Sequence, residues 1–150
     1  MNITQCKIEH IEAVADLFDE YLVFYEKESN HAACRDFIKE NITQERSVIF
    51  LLTDDRNIPV AFCQLYPAIC SLSMRGYYYL SDLYVKLSER KNGYARFLMN
   101  HITEHFAANG AQRLTLDTAN SNTIAQALYE SLGYERENVY ITYHKILPPQ

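Results

Sequence analysis

The stretch LSDLYVKLSERKNGYARFL, residues 80–98, decides the fold of this 150-residue chain. It begins as an alternating strand ending at Val85, turns through a short basic segment, and enters an amphipathic helix at Gly93. The first N–H groups of a helix lack internal partners, and the helix dipole adds partial positive charge there. Gly93 has no Cβ, so a ligand can approach the backbone closely. The stretch therefore predicts a phosphate-binding site.

Three basic side chains strengthen this prediction, although the chain as a whole is acidic. Arg90, Lys91 and Arg96 place positive charge around the turn, whereas the formal net charge of the chain is −5. The alternative interpretation is a surface turn whose basic residues are only solvated, because short glycine motifs also occur without a ligand.

Hydrophobic periodicity predicts the remaining elements on both sides of this stretch. Strands are expected over residues 3–8, 47–53, 58–72, 77–85 and 111–118, and helices over residues 9–25, 32–42, 93–108 and 123–132. Tyr134 and residues 139–146 are expected to supply the final strand or strands. Within residues 77–85, strict alternation puts Tyr79 and Leu83 on one face and Asp82 on the other.

The order of these elements predicts the fold class. Short turns between the strands over residues 47–85 indicate an antiparallel meander. The strand, helix and strand over residues 77–118 indicate a parallel pair with a right-handed crossover. The chain is therefore expected to be α/β (α+β): a single domain, residues 1–150, with a mixed central sheet of about six or seven strands flanked by about four helices.

Two motifs resemble those of the GCN5-related N-acetyltransferases. Arg90, Gly93 and Ala95 match the acyl-CoA pyrophosphate signature of that family in order and spacing. A second motif is carried by Asn122, Ala125, Leu128, Tyr129, Leu132, Gly133 and Tyr134. The resemblance implies the acyl-CoA N-acyltransferase fold, in which the sheet splays between the strand ending at Val85 and the next strand, and the cofactor enters the gap.

The resemblance also implies roles for individual residues. Acetyl-CoA would be a co-substrate, with no metal, and its pyrophosphate would lie on the turn formed by Arg90, Lys91, Asn92, Gly93, Tyr94, Ala95 and Arg96. The backbone N–H of Leu83 would polarise the thioester carbonyl, and the backbone of Val85 would pair with the pantetheine arm. Asn122 would contact the same arm, and Tyr129 would protonate the leaving thiolate.

The general base and the acceptor site are less sharply indicated. The base could be Asp82, Tyr79, less directly Ser81, or a relayed water. Tyr21 and Tyr25 on the first helix are expected to line the acceptor groove together with Tyr79 and Asp82. Polyamine acetyltransferases carry a second acid where this chain has Ser81, which argues against polyamine specificity.

Composition excludes several other classes of function. The acidic net charge argues against a nucleic-acid partner. No apolar run reaches the roughly 18 residues of a membrane span, and the N-terminus lacks a signal-peptide pattern, so a cytoplasmic location is expected. The four scattered cysteines have no C-x-x-C spacing and are expected to be free thiols. The sequence is compatible with a homodimer but does not indicate the oligomeric state.

One further motif could suggest a metal site. His101 and His105 belong to an H-x-x-E-H pattern. Two histidines spaced four residues apart on a helix can bind the same zinc ion. No third ligand stands out among the later acids, so the histidines are expected to lie beside the buried face of their helix and to bind no metal.

The sequence thus predicts an acetyl-CoA-dependent N-acetyltransferase that acetylates a primary amine by direct attack in a ternary complex. The acceptor would be a small amine or an amine on a protein or peptide. The alternative is a non-catalytic acyl-CoA-binding or interaction module on the same fold, and the presence of both Tyr129 and Asn122 argues against it.

Overall fold

A computed structural model of the protein describes residues 1–149, which form five strands and four α-helices. The strands are β1 (Asn2–Gln5), β2 (Val48–Thr53), β3 (Pro59–Cys70), β4 (Arg75–Val85) and β5 (Leu114–Leu116). The α-helices are α1 (Ile11–Phe24), α2 (His31–Thr43), α3 (Tyr94–Ala108) and α4 (Thr123–Ser131), and short 3₁₀ helices cover Ile8–His10 and Leu87–Glu89. The chain divides into two compact units, Met1–Asp117 and a second that begins at Thr118.

The sheet belongs to the first unit and has the order β1-β2-β3-β4-β5. Neighbouring strands from β1 to β4 are antiparallel, and β4 and β5 are parallel. This confirms the predicted meander, the crossover through α3 and the mixed sheet. Its strand count is lower than the six or seven expected.

The missing strands are those predicted at Tyr134 and residues 139–146, and that part of the prediction is wrong. No described residue after Leu116 belongs to a strand. A strand needs backbone partners as well as an alternating pattern. Here the N–H groups of Val139 and Tyr140 instead bond to the carboxylate of Glu137.

A β-bulge at Ser81 changes which side chains of β4 share a face. Gln64 of β3 pairs with Asp82, but the next residue, Leu65, pairs with Leu80, so Ser81 is skipped. An inserted residue reverses the alternation of the strand beyond it. Strict alternation predicts that Asp82 and Leu80 share a face. Because of the bulge, they lie on opposite faces.

Side chains of directly paired residues lie on the same face of a sheet. The pairing with β3 therefore shows which side chains of β4 share a face. Tyr84 pairs with Phe62, Asp82 with Gln64, and Tyr79 with Tyr66. These three pairs share the face that packs against α1, because the ring of Phe62 contacts Phe18 and Tyr21 of that helix. The bulge thus brings Tyr79 and Asp82 to the same side.

Apolar side chains hold helices on both faces of this sheet. On the α1 and α2 side, a buried cluster joins the helices to β2, β3 and β4, with Val14, Ile38 and Phe62 fully inaccessible to solvent. On the other side, Phe106 of α3 lies against Phe50 and Tyr78, with ring centroids 6.2 and 4.1 Å apart. Burial of each side chain of this size adds about 1.5–3 kcal/mol to the free energy of unfolding. Packing on both faces therefore holds β4 firmly in place.

Within residues 1–149, no helix combines the length and the apolar composition required to cross a bilayer.

Candidate functional site

The candidate site begins where β4 runs past the end of β5. The two strands pair from Tyr78 with Leu114 to Leu80 with Leu116, and β4 then continues to Val85. Beyond Leu80, the side of β4 that faces β5 has no ladder partner among the described strands. This is the splay that the sequence predicts.

The peptide groups of Leu83 and Val85 are directed into this splay. The amide of Lys86 donates a hydrogen bond to the carbonyl of Val60 on β3, at 2.9 Å. Bonded and non-bonded pairs alternate along an antiparallel ladder, so Leu83 and Val85 occupy the positions that do not bond to β3. Their N–H and C=O groups therefore point to the β5 side, as an extended ligand would require.

The turn after β4 delivers the chain to an uncapped helix end. Gly93 is the N-cap of α3 with φ = 76°, and Lys91 also has a positive φ of 67°. A Cβ added to Gly93 would meet no described atom within 4 Å. The N-terminus of α3 has no side-chain cap and no acid in its first turn, whereas Asn30 caps α2. The N–H groups and the dipole of a 15-residue helix therefore face an open, electropositive corner.

The Arg90 side chain braces this turn against the sheet. Its Nε donates to the carbonyl oxygen of Val85 at 3.2 Å, and its guanidinium lies 4.9 Å from the ring of Phe24 and 5.9 Å from that of Tyr84. The Asn92 amide donates to the carbonyl of Glu89 at 3.0 Å. Both side chains thus order the backbone of the turn, and their predicted contacts with a pyrophosphate stay predictions.

Asp82 is half-buried on the α1 face of β4, next to the outward peptide of Leu83. Gln64 Nε2 donates to Asp82 Oδ2 at 2.8 Å. Burial raises the pKa of the Asp82 carboxyl above its ordinary value, and hydrogen bonds from Gln64, Tyr21 and Ser81 lower it in part. Asp82 is therefore a carboxylate in a fixed orientation with an increased affinity for a proton.

Gln64 is in turn held by a buried polar network that the sequence analysis missed. Its side chain is inaccessible to solvent, and its Oε1 accepts hydrogen bonds from Asn41 Nδ2 at 2.8 Å and Ser47 Oγ at 2.7 Å. Arg46 Nε fixes Asn41 through its Oδ1 at 3.0 Å. With Oε1 occupied by two donors, only Nε2 can face Asp82. The sequence does contain a sign of this network, namely a glutamine within an apolar strand. A buried side-chain amide must be hydrogen-bonded, so such a glutamine implies polar partners.

Tyr21 and Tyr79 lie near Asp82, and Tyr25 lies next to Tyr21; their predicted role on the acceptor side stays a prediction. The rings of Tyr21 and Tyr25 are 5.0 Å apart. The pKa of Tyr21 is raised by burial and by the charge of Asp82, with smaller effects from Tyr25 and Tyr79, so these four groups are neighbours.

Tyr79 also connects this cluster to the end of β5. Its hydroxyl donates to Asp117 Oδ2 at 2.7 Å. Burial, followed by this hydrogen bond, raises the pKa of Tyr79 to about 12. Phenol rings beside two carboxylates form a wall that favours a cation.

The other predicted residues lie in the second unit. Asn122 is the N-cap of α4, and its Oδ1 accepts from the amide of Ala125 at 3.1 Å. Tyr129 is half-buried on the same helix, with its ring 5.9 Å from that of Tyr134. The capping role of Asn122 is an addition to the sequence analysis. The contacts of both residues with a cofactor stay predictions.

The two histidines of the H-x-x-E-H pattern pack against the core. The rings of His101 and His105 lie 5.2 and 5.1 Å from the ring of Phe50 and 6.5 Å from each other. Burial lowers the pKa of His105. Among residues 1–149, no group of three or more His, Cys, Asp or Glu side chains is arranged to hold a metal ion.

Comparison with known proteins gives a consistent family assignment. Residues 12–134 match the model of a family described as the acetyltransferase (GNAT) family. The uncharacterized N-acetyltransferase YhfO of Bacillus subtilis (strain 168) is 36% identical over 143 residues, or 95% of each chain.

Solved structures agree with this match. The crystal structure of a probable acetyltransferase superposes with a TM-score of 0.94 at 31% identity, over 100% of both chains. The aminoglycoside N-acetyltransferase AAC(6′)-Iy, solved in complex with CoA, superposes with a TM-score of 0.77 at 20% identity, over 96% of this chain and 93% of that one.

Proposed function

Since the chain belongs to the acetyltransferase (GNAT) family and is an N-acetyltransferase, we propose that it transfers the acetyl group of acetyl-CoA to a primary amine by direct attack in a ternary complex. The observation that carries the proposal is the adjacency of Asp82 and Leu83. Asp82 holds its carboxylate on the face of the sheet that α1 covers, and the next residue, Leu83, presents its peptide group in the splay between β4 and β5.

In this proposal, acetyl-CoA lies along the splayed edge of β4. Its diphosphate binds the start of α3 at Gly93, where helix N–H groups and a local excess of Lys and Arg favour an anion. Its pantetheine arm pairs with the outward backbone of Val85. The complex of a structural neighbour with CoA supports this choice of co-substrate.

Asp82 is the proposed general base. An alkylammonium has a pKa of about 10.4 and must lose a proton before it can attack. Burial raises the pKa of Asp82, which makes the carboxylate a better proton acceptor than an exposed aspartate. Gln64 keeps one oxygen bonded, and the carboxylate therefore accepts the proton in a fixed geometry.

The remaining steps transfer the acetyl group and protonate the leaving thiolate. The deprotonated amine forms a C–N bond to the acetyl carbon, and the N–H of Leu83 stabilises the negative oxygen that develops. The C–S bond then breaks, and the thiolate takes a proton from the phenol of Tyr129. The nitrogen loses its second proton to solvent and becomes the amide, and exchange with solvent returns Tyr129 to the phenol and Asp82 to the carboxylate. Both substrates bind together, so no covalent enzyme intermediate is needed.

The wall of Tyr21, Tyr25 and Tyr79 favours a cationic acceptor, either a small amine or an amine of a protein or peptide. Acetyl transfer to a panel of amines, followed as release of the CoA thiol, tests the proposal. We expect Asp82→Asn to lower kcat/KM roughly 10²–10⁴-fold, the usual contribution of a general base. Asp36→Asn on the exposed surface of α2 is the matched control. Equal rates for all three proteins would remove Asp82 from the mechanism.

A further inference from the structure

The last residue of α1, Phe24, has an aromatic side chain that the hydrophobic core does not use. It is 48% exposed to solvent and lies outside the buried cluster beneath α1. Its ring faces the guanidinium of Arg90, whose Cζ lies 4.9 Å from the ring centroid, and it meets the ring of Tyr25 edge to face at 5.4 Å. The attraction between a cation and an aromatic face therefore holds Phe24 and Arg90 together.

The turn that carries Arg90 lies at the surface along its whole described length. Each of residues 85–97 is partly or fully accessible to solvent. Leu87 is 61% exposed, and Lys91 has a positive φ of 67°, which is unfavourable for a residue with a Cβ. Segments with few buried apolar contacts open easily. The order of this turn therefore depends on contacts that its side chains make with other elements.

Helix α1 supplies two such contacts from one side of its C-terminal half. Glu20 Oε2 lies 3.7 Å from Nζ of Lys86, which directly follows β4, and Phe24 faces Arg90. Glu20 and Phe24 are four residues apart, so they lie one above the other on the helix surface. This row of α1 holds the turn at two points.

The adjacent row of α1 faces the candidate acceptor side. Tyr21 and Tyr25 are again four residues apart, their rings are 5.0 Å from each other, and Tyr21 donates a hydrogen bond to Asp82. Neighbouring residues of a helix are about 100° apart around its axis. The same two turns of α1 therefore contact both Asp82 and the turn before α3.

From these contacts we propose that Phe24 is a positioning residue for acetyl-CoA and acts through Arg90. The ring holds the guanidinium in place, and Nε of Arg90 in turn holds the carbonyl oxygen of Val85 at 3.2 Å. Backbone N–H groups that are ordered before the ligand arrives bind it at a lower entropic cost. The inference rests on the proposed function, which puts the diphosphate on this turn.

Titration calorimetry with CoA tests the proposal through a double-mutant cycle. Phe24→Leu keeps an apolar side chain and removes the ring, and we expect it to weaken CoA binding roughly two- to fivefold, the usual effect of an exposed cation–π pair. Phe24→Trp should restore the affinity of wild type. In an Arg90→Ala protein, Phe24→Leu should have no further effect, because the two residues act as a unit.

Phe37→Leu is the matched control. Phe37 is 38% exposed on α2 and its ring stacks on Phe18 at 5.5 Å, so this variant loses an aromatic contact away from the turn and should bind CoA as wild type does. Hydrogen exchange of the free protein gives a second measurement: residues 86–93 should exchange faster in Phe24→Leu than in wild type or Phe37→Leu.

The outcomes separate this inference from the proposed function. If Gly93→Ala weakens CoA binding and Phe24→Leu does not, the inference is overturned and the proposed function stands. An equal loss of affinity from Phe24→Leu with and without Arg90, or unchanged exchange of residues 86–93, would also overturn the inference alone. A wild-type protein that binds no CoA would overturn both.

Discussion

Replacing Gly93 with alanine tests the proposed diphosphate site at the point where backbone and ligand would be closest. Gly93 has φ = 76°, and a Cβ at this position would meet no described atom within 4 Å. The added methyl group therefore clashes with none of the described residues and occupies the space in front of the first turn of α3. Any loss of affinity would come from the ligand that should approach there.

The expected magnitudes follow from two separate effects. An L-residue in the left-handed region costs about 1–2 kcal/mol, which for a chain of this length lowers Tm by about 2–8 °C. Displacing a phosphate from the helix N–H groups removes charge-assisted hydrogen bonds worth about 1.5–3 kcal/mol. CoA should therefore bind roughly 10- to 150-fold more weakly.

Gly110→Ala separates these effects. Gly110 follows the other end of α3, has φ = 80°, and also has no described atom within 4 Å of an added Cβ. The two variants should lose similar stability in thermal unfolding, but only Gly93→Ala should lose affinity for CoA in titration calorimetry. Equal affinities in the two variants would refute the assignment of the diphosphate to this turn.

Two other predictions concern the polar network and the thiols. Gln64→Leu removes a hydrogen bond that lowers the pKa of Asp82, so the acidic limb of the kcat/KM profile should move to higher pH; an unchanged profile would exclude Asp82 as the titrating base. Hydrogen bonds from the Ser73 side chain and backbone lower the pKa of Cys70 to about 7, so iodoacetamide at neutral pH should label Cys70 first, and Ser73→Ala should slow that labelling. Mass spectrometry would contradict this if it found the first label on one of the cysteines whose pKa burial raises, Cys6, Cys34 and Cys63.

Features set by local sequence were predicted well. The periodicity of residues 9–25 predicted α1, and the basic glycine turn predicted that α3 begins at Gly93. These depend on neighbours a few residues away, since helical stripes, caps and positive-φ glycines are local properties. The strand predicted over residues 139–146 failed because a strand also needs a partner, and an alternating pattern does not supply one.

The sequence by itself determined the order of helices and strands down to α4, the parallel pair at β4 and the electropositive turn that follows it. Only the tertiary structure decided how the polar cluster around Asp82 is assembled. The bulge at Ser81 is a property of the pairing between β3 and β4, and it moves Asp82 to the face of Tyr79 and Tyr21. The orientation of Gln64 depends on donors from Asn41 and Ser47, which are distant in sequence. A one-residue shift in register reverses the direction of a side chain without altering local periodicity, so the sequence could not show that Tyr79 and Asp82 share a face.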